Sequence, residues 1–153
     1  MITEQDVSVK WNALDGEEEK MLFLVGGPGS GKSQIIRALA ERDGWKTVEA
    51  KELIDESFLE TPPEERQAAA LSVIAEGLAR CNADVVMVDS VSVLFTPVLH
   101  FDPVAVFREV SKKQPILIGW RGSFDGNVLF LEHRNDPKYA SYEGVDEKHV
   151  IVL

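Results

Sequence analysis

Apolar positions along this chain follow two rhythms, short unbroken runs and helical spacings. Val7, Trp11 and Leu14 recur at i, i+4 and i+7, which predicts one face of a helix opening at Thr3, with Asp6 completing a capping box. Asp15-Gly16 ends it, and Glu17-Glu18-Glu19-Lys20 reads as a solvated connection. Met21–Val25 is apolar throughout, bounded by charge on one side and Gly26-Gly27 on the other, which predicts a strand buried on both faces. Ser33–Arg42 predicts a helix with Ile35, Ile36, Leu39 and Ala40 inward, stopped by Asp43-Gly44. Thr47–Glu49 is a short second strand, followed by an acidic stretch from Glu52 to Glu60.

The second half repeats the alternation. Thr61-Pro62-Pro63-Glu64 predicts a capped helix start, with Leu71, Ile74, Leu78 and Cys81 on one face. Asp84–Asp89 is a strand that stays apolar until it meets an acid. Asp102-Pro103 opens another helix, with Val106, Phe107 and Val110 inward and Lys112-Lys113 at its end. Pro115–Trp120 is the fourth strand. Phe124–Val128 predicts a hairpin turn with Val128–Leu131 as its return, because the link is too short for a crossover helix. His149–Leu153 is then the fifth core strand. Strands alternating with helices predict an α/β fold, a mainly parallel five-stranded sheet with helices on both faces.

Composition narrows the class. A chain of 153 residues fits one domain: an N-terminal helix and linker over 1–20, then a core over 21–153 with a hairpin near 120–132. The last strand reaches Leu153, so no C-terminal lid is expected. Asp and Glu number 26 against 16 Lys and Arg, a net charge of −10, which argues against direct DNA binding by the monomer. A single cysteine, Cys81, excludes an intrachain disulfide and reads as a small core residue. No apolar run is long enough to cross a membrane, and the acidic N-terminus lacks a signal peptide's basic region, so a cytoplasmic location is expected. His100, His133 and His149 show no metal-ligand spacing, and Trp11 fits core packing better than base stacking.

The decisive chemistry lies in Gly26-Gly27-Pro28-Gly29-Ser30-Gly31-Lys32-Ser33, which matches G-x-x-x-x-G-K-[ST] at every fixed position. A strand enters it and a helix leaves it, the context that lets successive backbone N–H groups converge on an anion. Gly26–Ser33, with the adjacent Gln34, are the candidate ATP-binding residues. Lys32 suits the β- and γ-phosphates, and the Ser33 hydroxyl suits Mg2+. Asp89 is the candidate second magnesium residue. Val85–Val88 deliver it to the C-terminal end of a buried strand, where ligands bind in open α/β sheets.

The loop and the later acid-ended strand resemble the additional-strand P-loop ATPases, the group of RecA-like and AAA+ proteins. That resemblance implies an ATPase core and assigns two further residues. Many members carry Glu directly after the strand-ending acid to polarise water; here Ser90 stands there. RecA-like proteins place such a Glu at the end of the second strand, which points to Glu49, a turn before Glu52. A polar sensor follows the fourth strand, which points to Arg121 as a reader of the γ-phosphate, with Arg134 the weaker choice.

Over its full length the chain also resembles the BrxF family, small P-loop proteins of type 3 BREX phage-defence systems. The residues are the N-terminal helix, Gly26–Ser33, Asp89-Ser90, Trp120-Arg121-Gly122 and the Asp-Gly hairpin before a final strand. The resemblance implies a bacterial antiviral role beside a DNA methyltransferase, a larger P-loop ATPase, a phosphatase-like protein and a helicase, with nucleotide at a homo-oligomer interface. The expected function is an ATP-binding, ATP-hydrolysing subunit with weak or partner-dependent activity. Two alternatives stay open. A small-molecule kinase fits the loop but would need an arginine-bearing lid. A non-hydrolysing, nucleotide-locked scaffold fits Ser90.

Overall fold

The computed structural model describes residues 1–132 and 134–153. Its elements are helix α1 (Glu4–Asn12), strand β1 (Met21–Val25), helix α2 (Lys32–Leu39), strand β2 (Trp45–Glu49), helix α3 (Arg66–Ala79) and strand β3 (Val85–Asp89). Helix α4 (Pro103–Ser111) and strands β4 (Ile116–Trp120), β5 (Gly122–Asp125), β6 (Val128–Leu131), β7 (Ala140–Tyr142) and β8 (Val150–Val152) follow. Single 3-10 turns occupy parts of the links.

Five strands form one parallel sheet in the order β2-β3-β4-β1-β8. Strand β4 is inserted between β1 and β3, and it pairs with β1 from Met21–Ile116 through Val25–Trp120. Alternation along β1 divides the core. Met21, Phe23 and Val25 face the layer of α3 and α4, while Leu22 and Leu24 face α1 and α2. All five are buried, as expected for a strand covered on both faces. The fold class is therefore α/β with a five-stranded parallel sheet and helices on both faces.

The local chemistry explains most element ends. Thr3 and Asp6 form the reciprocal capping box at α1, and the Asp102 carboxylate accepts from the N–H groups of Val104 and Ala105 at α4. Trp11 is buried edge-on against Trp45, a core role. Ile74 and Leu78 are fully buried, whereas Leu71 and Cys81 are only half-buried.

The expected helix start at Thr61 does not form. Pro63 disfavours helical backbone at Pro62, whose ψ of 141° is extended, so Pro63–Glu65 makes a 3-10 turn and α3 begins at Arg66. Thr61 instead accepts a hydrogen bond from Arg66 Nε through its carbonyl, at 2.9 Å.

The hairpin is larger than expected. Strands β5 and β6 pair across a two-residue Gly126-Asn127 turn, and β7 adds a third antiparallel strand. Trp120 joins this small sheet to the large one. Its ring is fully buried, packs edge-on against Phe23 and Phe95, and donates Nε1–H to the Phe130 carbonyl at 2.9 Å. Trp120→Ala should lower the unfolding free energy by about 3–5 kcal/mol in urea titration; a loss below about 1 kcal/mol would show that the hairpin holds its place without the indole.

Candidate functional site

The link from β1 to α2 departs while still bonded to the sheet: Gly26 N–H donates to the Trp120 carbonyl at 3.0 Å. Ser30 N–H donates to the Gly27 carbonyl at 3.2 Å, closing a turn. Gly31 caps α2 with φ of 91°, a left-handed backbone that a side chain resists, and it supplies no side-chain cap. The first N–H groups of α2 are thus left without a side-chain acceptor at the mouth of a cavity of about 690 Å3. Gly27–Ile35, Arg37 and Ala38 line it, together with Met1, Ile2, Glu4 and Arg121. Ser30 Oγ is buried there with no hydrogen-bond partner.

Charge converges on the loop lysine. Lys32 is half-buried, with Nζ 3.5 Å from the Gly26 carbonyl. Burial pushes its pKa below the ordinary lysine value, and the Asp89 carboxylate opposes that shift. Arg121 adds to the depression, and Glu132 works against it. Asp89 Oδ1 accepts the Ser90 N–H at 2.9 Å and lies over Gly119, where a Cβ would come within 2.6 Å of it. Gly119 therefore leaves the space that the carboxylate fills.

Topology separates the remaining residues. Arg121 follows β4, the neighbour of β1; its side chain is 56% exposed and lines the loop cavity. Glu49 stands in register with Asp89 but on β2, three strand spacings, about 14 Å, from β1. Its carboxylate is paired with Lys51 at 3.4 Å. Ser33 and Gln34 are exposed on the first turn of α2. His100 is exposed, and His149 is buried with Nδ1 2.7 Å from the Met21 carbonyl. His133 lies outside the described residues.

Glu132 escapes the sequence reading. Its carboxylate meets Arg121 Nε at 3.4 Å and accepts from Ser92 Oγ at 2.6 Å. Arg121 is its opposite position in the hairpin register, while Ser92 lies 40 residues away with no local pattern to mark it.

The donor set suits a polyphosphate: a cap-free helix start, a lysine, an arginine and an unpartnered buried hydroxyl. Among the described residues no cluster of three His, Cys, Asp or Glu could hold a metal ion. Among the described residues no helix is long and apolar enough to cross a membrane. No protein-family model matches the chain, and no curated protein matches it significantly.

The charge cluster has a direct readout. Asp89→Asn should lower the Lys32 pKa further, because it removes the group that favours the ammonium. Arg121→Ala should raise it, because it removes a like charge. NMR titration of 13C-labelled lysine reports both; an unmoved Lys32 in both variants would show that the groups do not interact.

Proposed function

We propose that this protein binds a nucleoside triphosphate, ATP, with Mg2+ at the loop between β1 and α2, and that it acts as an ATP-driven or ATP-gated subunit. The observation that carries the reading is that Gly27–Ser33 and Arg121 line one cavity, with the Asp89 carboxylate near enough to Lys32 to act on its charge. The insertion of β4 between β1 and β3 supports a RecA-like or AAA+-like P-loop core, because it is the arrangement an additional-strand fold requires.

In this reading the backbone N–H groups of Gly29 and Gly31–Ser33 bind the phosphates, and Lys32 neutralises the β- and γ-oxygens. Ser33 and Asp89 are the residues that would hold a magnesium ion, which would supply positive charge against the phosphates. Ile35, Ala38 and Ile2 offer apolar wall for the nucleoside at the other side of the cavity. Arg121 reads the terminal phosphate, its own or a neighbouring copy's.

Hydrolysis is weak or dependent on a partner, because Ser90 follows Asp89 and Glu49 is engaged by Lys51. The same two observations favour a second reading, a scaffold that is locked by nucleotide without turnover. From the BrxF resemblance, the proposed setting is a bacterial anti-phage system, in which nucleotide controls self-assembly or docking to the methyltransferase, larger ATPase or phosphatase-like component.

Lys32→Ala should abolish Mg-ATP binding by calorimetry, and Asp89→Ala should weaken it about tenfold or more. Gly119→Ala should weaken it too while the chain stays folded, since the new methyl turns the Asp89 carboxylate aside. Wild-type affinity in Lys32→Ala would remove the site assignment. Light scattering with ATP, ADP or neither, paired with phosphate release, separates the readings: ATP-dependent assembly with turnover fits the first, and tight binding without turnover in the assembled state fits the second.

A further inference from the structure

The ion pair between Glu132 and Arg121 goes beyond the phosphate-loop reading and rests on it. Glu132 follows β6 at the base of the hairpin. Its backbone is left-handed, with φ of 60°, a conformation that a non-glycine residue adopts only at a cost in strain. Its N–H donates to the Arg121 carbonyl at 2.9 Å, so backbone and side chain both engage the same residue.

The geometry of the pair is asymmetric. Glu132 is only 10% exposed and its Oε1 is fixed by Ser92, while its Oε2 meets Arg121 at Nε. Nε is the inner edge of the guanidinium. The two terminal amino groups are the ones that form a bidentate fork on a phosphate. Arg121 is at the same time part of the loop cavity wall. A long, half-exposed side chain loses rotamer entropy on binding, and a fixed carboxylate behind it removes part of that loss in advance.

We propose that Glu132 is the positioning residue for Arg121: seated on Ser92, it holds the guanidinium by Nε and aims the terminal amino groups at the outermost phosphate of a nucleoside triphosphate in the loop cavity. Glu132 touches no ligand in this arrangement. Its effect is on discrimination between tri- and diphosphate, because only the triphosphate carries the group that Arg121 meets.

The test is the ratio of Mg-ATP to Mg-ADP affinity by calorimetry, with thermal unfolding measured on each variant. Arg121→Ala should reduce the ratio about tenfold. Glu132→Gln should reduce it in the same direction and add nothing in the Arg121→Ala background, since both act through one guanidinium. Glu132→Gly keeps the left-handed backbone without strain; it should lose discrimination with no fall in melting temperature, which a merely structural role would not produce. Ser92→Ala should give a smaller reduction.

An unchanged ratio in folded Glu132→Gln and Glu132→Gly overturns the positioning role alone. So does a Glu132→Gln effect of full size in the Arg121→Ala background. Wild-type protein that binds neither nucleotide overturns the phosphate-loop reading and this proposal with it.

Discussion

Strand β4 runs between β1 and β3 with all five of its residues buried, and three successive residues at its end do three different jobs. Gly119 leaves room on one side for the Asp89 carboxylate. Trp120 turns inward and ties the hairpin to the sheet through Phe23, Phe95 and the Phe130 carbonyl. Arg121 leaves the strand and lines the loop cavity. The Trp120 carbonyl also receives the first N–H of the loop, that of Gly26. The loop after β1, the acidic end of β3 and the hairpin are thus indexed to one another through the end of a single buried strand. A shift of that strand by one residue would exchange the faces and separate all three.

Electrostatics sets a second constraint. Lys32 gives up hydration when it is half-buried, and its lowered pKa records that cost. Asp89 and Glu132 offset it, and Arg121 works against it. Two cations and two carboxylates leave the cluster neutral in sum, which a site that is partly withdrawn from water can tolerate. The chain as a whole is strongly acidic, with a net charge of −10, so this neutral cluster stands against an acidic background.

How much of this was legible in the chain differs by feature. The unbroken apolar runs at Met21–Val25 and Val85–Val88 mark strands covered on both faces, and both are found so. The order of motifs along the chain placed Lys32, Asp89 and Arg121 at the ends of three consecutive strand positions, and parallel pairing alone brings those ends to one edge. Three features escaped. Strand β7 spans only Ala140–Tyr142, too short for a period to register. The helix start moved from Thr61 to Arg66 because two adjacent prolines delay helical backbone. Glu132 is hard to see because its seat is non-local: the hairpin register sets it opposite Arg121, but Ser92 lies 40 residues away.

Left-handed backbone at non-glycine residues gives that last point its physical edge. Among the described residues it occurs at Asn82, Ser90, His100 and Glu132. Asn82 follows the end of α3, and His100 ends a 3-10 turn, positions where such a conformation terminates a helix. Ser90 and Glu132 instead turn the chain out of β3 and β6, and both turns abut the charge cluster. At Ser90 the turn presents its N–H to Asp89. At residue 132 a glycine would make the same turn with less strain. What glycine would lack is the carboxylate that Ser92 and Arg121 share, so the strain at this position is intelligible only through the side chain it carries.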